Sequence, residues 1–576
     1  MANTKIWCLV VDHKNQPIGG FFRVFVRDEI ADLQLKVKET RSHDLKDVDA
    51  ARLEVWKCTN QAIALDRKKL KDQVGEVFSE RQVELLEAWQ TIADLQVSEQ
   101  DSLLVRVPDI QRNKRKHDEV EQSDSTSAEL KRLRKEVGSA APSSLAHPGE
   151  FCRIAGPDHA IMCNRPFVYD TVPIELLHEA FGHFKDRCST PPSKKAVAFL
   201  AELAPVACKW YGTETERRTE VQRVFEKYTG LLFHAEFVPG TSYITDGNLA
   251  VTVMPASIRE CKNEYGAALN QAIVYYAKFL IQAHSHSHSY WNYNTRFPCI
   301  LMVDSGSTFG FYGAVWDGRV RVEPLMPIFD LSTHHLDERG RNAIASSLDA
   351  FMEGVLTIQA HYAKIEAIAK ANLNTLSEHC LAKARKYPYV ASYEIDGRET
   401  AVTFETQLHE NKLLFSDDSG QYVVKFTRRY SEKAHRYLAS IGSAPKLWQC
   451  KEIPGGWIAI LMEKSSYALL HDLLLPKENQ ERVRYKVTEI VQKLHSEGLV
   501  HGDIRDVNLL VDNDSLLSGG DVRVHFIDFD WAGLAGEAKY PIGVNTISMK
   551  RPVGVEDGGT ITEEHDKEMV SYLFIG

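Results

Sequence analysis

The stretch LVHGDIRDVNLLV at residues 499–511, followed by FIDFDWAG at 526–533, decides the fold of the last third of the chain. It places Asp503 and Asn508 five residues apart, and Asp528 directly after an apolar, strand-like run. Phosphoryl transfer requires a carboxylate near the attacking hydroxyl and oxygen ligands for Mg²⁺. The spacing therefore predicts Asp503 as the catalytic base, and Asn508 and Asp528 as the metal ligands.

Upstream of this stretch, the segment QYVVKFTRRY at 421–430 places Lys425 in a predicted strand between two apolar residues. Glu432 opens the next predicted helix, and we expect it to pair with Lys425 and hold it against the α- and β-phosphates of ATP. The apolar run WIAILMEKS predicts a strand that leads into a hinge, where the backbone near Met462 and Glu463 would contact adenine. These residues together predict an ATP-binding site.

Residues 395–570 resemble a protein kinase, in particular a fungal kinase-like family with HGDxRxxN and DFDWAG signatures. The resemblance implies a protein-kinase-like fold, ATP and Mg²⁺ as cofactors, a protein substrate of the Ser/Thr type, and Arg505 as the cation of the catalytic loop. Several departures leave a pseudokinase open as the alternative. The segment LLFSDDSGQ before the strand lysine has no GxGxxG motif, Gly502 stands where kinases have arginine, and Asp530 replaces the glycine of the DFG motif. We also expect Asp566, on a late helix, to support the catalytic loop.

The middle of the chain contains YITDGNLAVTVMPASIRECKNEYGAALNQAIVYYAKF at residues 243–279. Side chains two apart in a strand lie on one face, so Glu260 and Lys262 are expected to point the same way. We expect Asp246 and Glu260 to hold Mg²⁺ through their carboxylates, and Lys262 to orient the attacking water. This constellation predicts a metal-dependent phosphodiester hydrolase.

Two helices beside this segment supply supporting residues. Gln271 and Tyr275 share a face of the following helix. Glu216 and Glu220 share a face of the preceding helix, so either of these two glutamates could supply a further carboxylate to the site. The ordered set resembles the PD-(D/E)xK restriction-endonuclease-like nucleases over residues 195–330, with a QxxxY element. The resemblance implies an α/β nuclease domain that acts on nucleic acid, with DNA as the expected substrate. The alternative is that the ExK residues form only a surface ion pair on an edge strand.

The first 108 residues predict a β-hairpin, a helix and a third strand, an order typical of a ubiquitin-like fold. The strands are expected at 5–11, 21–26 and 51–57, and the helix at 28–40. The segments IWCLVVDH, DEIADLQLKVKE and DVDAARLEVWKC resemble the N-terminal domain of Crinkler effectors in its fungal version. The resemblance, which covers residues 5–108, implies a secreted effector that acts on unknown host proteins in the cytoplasm or nucleus of a host cell, although no signal peptide is visible.

The composition excludes several other classes of protein. The chain has 576 residues, of which 44 % are hydrophobic and 26 % charged, so it is not a collagen, a coiled-coil rod or a wholly disordered chain. A net charge of −10 excludes a generally basic nucleic-acid binder. The ten cysteines form no CxxC pair and no apolar run approaches about 18 residues, so we expect reduced thiols and no membrane span.

We therefore expect a multidomain α+β protein. The predicted division is a ubiquitin-like Crinkler domain at 1–108, a charged flexible linker at 109–148, a restriction-endonuclease-like domain at 149–330, a helical connector at 331–389 and a protein-kinase-like domain at 390–576. Two other interpretations stay open. One is a non-catalytic adaptor with a pseudokinase, and the other is an intracellular fungal protein kinase with an N-terminal docking domain.

Overall fold

The structure is a computed structural model. It describes residues 4–12, 15–18, 21–26, 30–41, 53–58, 73–79, 83–86, 102–107, 126–138, 140–155, 161–162, 172–235, 237, 245–250, 254–263, 266–285, 295–371, 384–409 and 412–574. The chain divides into two compact units, Met1–Asp124 and Ser125–Gly576. The described cysteines are all free thiols, and none of the described helices combines the length and the apolar character that a bilayer crossing demands.

The N-terminal unit contains a five-stranded mixed sheet. Its elements are β1 (Thr4–Val11), β2 (Phe22–Val26), α1 (Ile30–Thr40), β3 (Glu54–Cys58), α2 (Val74–Ser79), β4 (Val83–Leu86) and β5 (Ser102–Arg106). The strand order is β2-β1-β5-β3-β4, in which β1 runs parallel to β5 and the other pairs are antiparallel.

Alternation along these strands gives the unit its core. Apolar residues at every second position of β1 pack with Leu33 and Val37, which lie one helical turn apart on α1. The side-chain amide of Gln34 donates to the Leu53 carbonyl at 2.6 Å and fixes the helix beside β3. The hairpin, helix and third strand lie where the sequence predicts them, while the expected starts at residues 28 and 51 lie outside the described residues.

The second unit begins with a seven-stranded mixed sheet surrounded by helices. Its elements are α3 (Thr126–Val137), α4 (Pro142–Leu145), α5 (Pro148–Ile154), β6 (Ile161–Met162), α6 (Ile174–Leu177), α7 (Glu179–Cys188), α8 (Lys194–Ala207), α9 (Glu214–Thr229), β7 (Gly247–Ala250), β8 (Pro255–Lys262), α10 (Ala268–Ser285), β9 (Cys299–Ser305), β10 (Thr308–Trp316), β11 (Val320–Pro324), β12 (Phe329–Asp330) and α11 (Glu338–Lys370). The strand order is β6-β11-β10-β9-β8-β7, and β12 pairs with β10.

A β–α–β unit lies at the centre of this sheet. The chain leaves β8, passes through α10 and returns as β9, which is parallel to β8 as such a crossover allows. The register places Lys262 beside Ser305 and Cys261 beside Asp304. α10 and α11 both pack against β8 and β9. All nine residues of β10 are buried, which explains why its sequence, TFGFYGAVW, is nearly continuous in apolar residues.

Two predicted connecting segments belong to this folded core, which corrects the flexible linker at 109–148 and the separate connector at 331–389. Leu130 and Leu133 of α3 are buried, and the Lys278 ammonium donates to the Gly138 carbonyl at 2.9 Å. Phe351 of α11 is buried among the aromatic residues of the sheet. The apolar faces at three- and four-residue spacing need a surface to cover them, and the sheet provides it. Residues 108–125 and 372–383 lie outside the described residues.

The C-terminal region has an upper sheet and a lower, mainly helical part. Its elements are β13 (Ser392–Ile395), β14 (Arg398–Ala401), β15 (Phe404–Gln407), β16 (Leu414–Asp417), β17 (Tyr422–Thr427), α12 (Glu432–Ser440), β18 (Leu447–Ile453), β19 (Trp457–Glu463), β20 (Ala468–Leu469), α13 (Lys477–Ser496), β21 (Leu499–Val500), β22 (Leu509–Val511), α14 (Asn513–Leu517), β23 (Val524–Phe526), β24 (Gly533–Leu534) and α15 (Glu563–Tyr572). The upper sheet has the order β15-β16-β17-β19-β18. The lower part has its own core, formed mainly by α13, β22, β23 and α15.

The upper sheet shares one continuous hydrophobic core with the middle region, to which Phe404 of β15 belongs. One close contact between them joins α7 to the loop between β18 and β19. A Cβ atom at Gly182 would lie 2.6 Å from the backbone carbon of Pro454. Beside it, the amide of Gly455 donates to the Asp186 carboxylate at 2.8 Å. Only a glycine lets the helix and the loop approach this closely.

We expect Gly182→Ala to destabilise the second unit. The added methyl group meets backbone rather than a flexible side chain, so the helix and the loop must separate, and the free energy of unfolding should fall by about 1–3 kcal/mol. Urea denaturation followed by circular dichroism measures this change. Gly149→Ala is the matched control, because a methyl group on that exposed helical glycine meets nothing within 4 Å. Equal stability of the two variants would contradict the close contact.

Candidate active site

A buried aspartate on α15 fixes the loop that carries the HGDIRDVN segment. One carboxylate oxygen of Asp566 accepts a hydrogen bond from the His501 amide at 2.7 Å, and the other accepts one from the Gly502 amide at 2.8 Å. His495 of α13 lies 3.2 Å from the same carboxylate. Asp566 is fully buried, so its charge depends on these partners. The structure agrees with the support that the sequence predicted for this residue.

Gly502 has a structural reason to be glycine. Its backbone has a φ of +80°, a conformation that side-chain-bearing residues rarely adopt. A Cβ atom there would also lie 2.8 Å from the side chain of Ile561. The absence of the usual kinase arginine at this position therefore follows from backbone conformation and packing.

The Asp503 carboxylate lies at the centre of a polar cluster. The Asn508 side-chain amide donates to it at 2.7 Å and also to the Asp503 carbonyl at 2.9 Å. Two guanidinium groups complete the shell, Arg505 at 2.8 Å and Arg551 at 2.7 Å. Arg551 comes from the segment after β24 and packs over the Trp531 ring. The sequence motifs point to Asp503, Arg505 and Asn508, but nothing local marks Arg551, which is 48 residues from its partner.

Lys425 does not pair with Glu432, which corrects the sequence prediction. Its ammonium contacts the Asp528 carboxylate and lies 2.5 Å from Asp530. Glu432 instead binds Arg436, four residues on along α12, at 2.6 Å. A helical i,i+4 pair forms within one element and keeps Glu432 on the exposed surface. Asp530, the residue in place of the DFG glycine, takes the partner role expected of Glu432.

The contacts between lysines and aspartates in this cluster stabilise the charged forms of Asp528 and Lys425. Burial alone would raise the pKa of Asp528, but the ammonium groups of Lys425 and Lys412 outweigh it and hold that pKa well below its ordinary value. Burial would likewise lower the pKa of Lys425, and its two aspartate partners raise it instead. Asp528 has a φ of +67°, a strained backbone of the kind that occurs at functional sites. The strain is retained because two ammonium groups, those of Lys412 and Lys425, fix the carboxylate.

The segment between β15 and β16 brings a further lysine to this cluster. LLFSDDSGQ, which lacks a GxGxxG motif, forms β16 and its turn into β17. The preceding segment, LHENKL at 408–413, contains no glycine. Its Lys412 reaches across to the Asp528 carboxylate at 2.6 Å. Sequence reasoning missed Lys412, because an isolated lysine in a turn carries no pattern.

The expected adenine contacts at Met462 and Glu463 also need correction. Both residues are still within β19, where Met462 pairs with Val423 of β17 and its side chain is buried. The Glu463 amide donates to the Lys446 carbonyl at 2.9 Å. A backbone amide that is engaged in the sheet is not free for adenine. The connection between the sheet and the lower part begins after Glu463, at residues 464–467.

The residues of this cluster fit a divalent cation. Asn508 is fully buried, and its side-chain amide nitrogen is used by Asp503, yet its Oδ1 has no hydrogen-bond partner among the described residues. Leaving such an oxygen without a partner is costly, and oxygen is the ligand that Mg²⁺ prefers. Asn508 and Asp528 are therefore suitable ligands, and Mg²⁺ bound there would neutralise phosphate charge.

The middle region contains a second cluster, which brings Asp246, Glu260 and Lys262 together. Lys262 lies 2.8 Å from the fully buried Glu260 carboxylate. Asp246 precedes β7, and its carboxylate accepts a hydrogen bond from the Cys261 amide at 3.0 Å. Its other oxygen pairs with Arg218 of α9 at 2.9 Å. The face assignment made from strand alternation is therefore correct for Glu260 and Lys262.

The QxxxY residues of α10 border the same carboxylate. The side-chain amide of Gln271 donates to the Tyr275 hydroxyl at 2.5 Å, and Tyr275 interacts with Glu260. Burial raises the pKa of Glu260 to about 8, and the negative charge of Asp246 adds to the shift while Lys262 opposes it. Glu260 is thus a carboxyl group that holds its proton near neutral pH when no cation is beside it.

Neither Glu216 nor Glu220 supplies the supporting carboxylate, which corrects both sequence candidates. Glu216 accepts a hydrogen bond from the Gly212 amide at 3.2 Å, and Glu220 pairs with Arg223 on the exposed side of α9. The nearby carboxylate belongs to Glu214, 3.4 Å from Lys262. Glu214 and Arg218 are four residues apart and share the face of α9 that meets β8. This four-residue spacing is the sequence pattern from which Glu214 and Arg218 could have been predicted to lie on one face of the helix.

In this second cluster fewer carboxylate oxygens are available for a metal ion. Both Glu260 oxygens are buried and lack a well-aligned hydrogen bond among the described residues, so this carboxylate could serve as a ligand. Asp246 already uses both of its oxygens, and a cation would have to displace Arg218. In the parts of the chain that the structure covers, no three His, Cys, Asp or Glu side chains are grouped as a ready metal site.

Of the comparisons with known proteins, only the one with solved structures finds matches. No protein-family model matches the chain, and no curated protein matches it. Three similar solved structures are protein kinases. The PK-1 kinase of Cydia pomonella granulovirus has 16 % identity and a TM-score of 0.23, with 29 % of this chain and 64 % of that chain covered. The BubR1 kinase domain has 15 % identity and a TM-score of 0.23, with 32 % of this chain and 62 % of that chain covered. Vaccinia related kinase 3 has 13 % identity and a TM-score of 0.24, with 33 % of this chain and 70 % of that chain covered.

These likenesses are partial. The chain spans less than two thirds of the first two of these proteins, at 64 % and 62 % of their length. TM-scores of 0.23 and 0.24 are too low to carry a conclusion about this chain. The kinase-like interpretation of the C-terminal region therefore rests on the geometry around Asp503, Asn508 and Asp528.

We expect Glu260→Gln to change how stability depends on pH. The folded protein keeps the Glu260 proton up to about pH 8, whereas the ordinary pKa of glutamate is 4.5. Between these values the folded state binds more protons than the unfolded chain, so its stability falls as the pH rises. Glutamine mimics the protonated carboxyl group without titrating. The Tm of the variant should exceed that of the wild type by a margin that grows through this window.

Thermal denaturation of both proteins in EDTA, at pH values from 4.5 to 8, measures the margin. Other titrating groups cancel in the difference between variant and wild type. Glu216→Gln is the control, since that exposed glutamate bonds only to a nearby amide in the described structure. A margin for Glu260→Gln that does not vary with pH would contradict the raised pKa.

Proposed function

We propose that the C-terminal region transfers the γ-phosphoryl group of ATP to a hydroxyl group of a protein substrate. The observation that carries this proposal is the Asp503 carboxylate, which Asn508 holds at 2.7 Å while Asn508 keeps a buried oxygen without a partner. A carboxylate base next to an oxygen ligand, with Asp528 and Lys425 across the cleft, is the set that phosphoryl transfer needs.

Each residue has a role that follows from its contacts. Asp503 accepts the proton of the attacking hydroxyl, and Arg505 stabilises charge beside it. Lys425 would contact the phosphates, and its contact with Asp528 places its ammonium group beside the ligands that would hold the cation. Asn508 and Asp528 hold Mg²⁺, which supplies charge neutralisation when bound. Arg551 blocks one oxygen of Asp503 in this structure, so a substrate hydroxyl must displace it.

Asp503→Asn should lower the rate of phosphoryl transfer by about 10²–10⁴-fold, since the proton acceptor is lost while the shape is kept. Transfer of label from γ-labelled ATP to a generic protein substrate, or to the protein itself, measures the rate. Asp506→Asn is the matched control, because this half-exposed aspartate three residues on binds His471 instead. Label that persists in Asp503→Asn would rule out the proposed base. No labelling by the wild type, together with a Tm raised by ATP, would favour the pseudokinase.

We propose as a second function that the middle region hydrolyses nucleic acid. The observation that favours it is the buried Glu260, which lies against Lys262 and next to Asp246 in the order of the PD-(D/E)xK resemblance. Lys262 orients and polarises the attacking water, and Glu260 serves as the principal Mg²⁺ ligand. Glu214, paired with Lys262, replaces the supporting glutamate expected from the sequence.

Lys262→Ala should abolish nicking of plasmid DNA in the presence of Mg²⁺, because the water loses its cationic partner. Glu214→Gln should lower nicking and Glu220→Gln should leave it unchanged, since only the first of these contacts Lys262. Agarose electrophoresis of supercoiled plasmid measures the rates. Intact plasmid at high wild-type concentration, or cleavage that survives Lys262→Ala, would remove this function.

We propose, on the Crinkler resemblance, that residues 1–108 direct the chain to unknown host proteins inside a host cell. The strand order β2-β1-β5-β3-β4 supports a ubiquitin-like fold for this N-terminal domain. The β1–β2 hairpin comes first in the chain, helix α1 follows it, and β5 later pairs parallel to β1. Among its described residues, no three His, Cys, Asp or Glu side chains are grouped so that they could hold a metal ion.

A further inference from the structure

The segment between β15 and β16 lacks the sequence feature that usually binds phosphate at this position of a kinase-like fold. A glycine-rich loop binds phosphate through closely approaching backbone amides, and residues 408–413 contain no glycine. What the segment contributes instead is the ammonium group of Lys412, which lies 2.6 Å from the Asp528 carboxylate.

The position of Lys412 is defined by its surroundings. The side-chain amide of Gln407, at the end of β15, donates to the Lys412 carbonyl at 3.0 Å, and the Lys412 amide donates to the His409 carbonyl. These bonds hold the backbone at the end of the turn. The side chain is 41 % exposed, so its head group lies at the mouth of the cleft rather than in the core.

We propose that Lys412 binds the phosphates of the nucleotide and replaces the backbone amides of a glycine-rich loop. Lys412 and Lys425 contact the same Asp528 carboxylate, one on each oxygen. The two ammonium groups therefore converge, one from β17 and one from the start of the segment that leads into β16, on the place where the last phosphates of ATP must lie for the γ-phosphoryl group to reach a hydroxyl group beside Asp503.

The charge balance supports this role. Without nucleotide, two lysines face two aspartates, Asp528 and Asp530. With nucleotide present, Asp528 would hold a divalent cation, and the two ammonium groups would then be available to anionic phosphate oxygens. The contact with Asp528 thus keeps Lys412 in place until the nucleotide arrives. The inference rests on the proposed ATP site but not on catalysis at it.

Isothermal titration calorimetry of the full chain with ATP, ADP and adenosine tests the proposal. Lys412→Ala should weaken binding of ATP and ADP with Mg²⁺ by about ten-fold or more, the loss expected for one charge-assisted hydrogen bond. Adenosine, which has no phosphate, should bind as to the wild type. Lys412→Arg should restore most of the ATP affinity. Lys451→Ala is the control, because that exposed lysine lies on β18, at the opposite edge of the sheet.

Two outcomes would overturn the proposal. One is wild-type affinity of Lys412→Ala for ATP, and the other is an equal loss for adenosine, which would indicate a disturbed cleft rather than a lost phosphate contact. The test also separates this proposal from the proposed function. If ATP binds in a Lys412-dependent way but no phosphoryl transfer occurs, the phosphate role stands and the kinase activity fails. If the wild type transfers phosphoryl groups and Lys412→Ala binds ATP normally, the kinase activity stands and the phosphate role of Lys412 fails.

Discussion

The hydrogen bonds from the His501 and Gly502 amides to the buried Asp566 carboxylate are the constraint on which the C-terminal region depends. A fully buried charge is tolerated only when its partners are complete, and removing one partner of such a group is strongly destabilising. Asp566 therefore fixes the backbone of the loop, and the loop in turn places Asp503 and Asn508 towards the cleft. The loop has its geometry because α15, which follows it in the chain, supplies one carboxylate.

A second constraint is the core that the middle region and the upper sheet share. Buried Glu175 of α6 binds both Lys185 of α7 and Arg428, which follows β17. This pairing, with the close approach at Gly182, means that strand β17 is supported from the middle region as well as by its own sheet. Lys425 lies on that strand, so the position of its ammonium group depends on packing between regions that are far apart in sequence.

The two candidate sites use carboxylates in opposite electrostatic states. At the C-terminal site, Lys425 and Lys412 hold the pKa of Asp528 low, so it is ionised and ready for a cation at any physiological pH. In the middle region, burial and Asp246 raise the pKa of Glu260 to about 8. A cation that binds Glu260 must therefore displace a proton, and its affinity should rise with pH. The carboxylate of Asp528 is thus already charged before a cation binds, whereas the carboxyl group of Glu260 would lose a proton when a cation binds.

Periodicity and spacing act over a few residues, so the sequence predicts the elements and the contacts within each motif. It placed Asp503 with Asn508, Glu260 with Lys262 and Gln271 with Tyr275, and all three pairs are present. Which distant groups meet depends instead on the three-dimensional fold. It gave Lys425 the partners Asp528 and Asp530 instead of Glu432, brought Glu214 rather than Glu216 or Glu220 to Lys262, and placed Arg551 and Lys412 at the cleft. An ion pair forms between the charges that folding brings within about 4 Å, and local pattern carries no record of that distance.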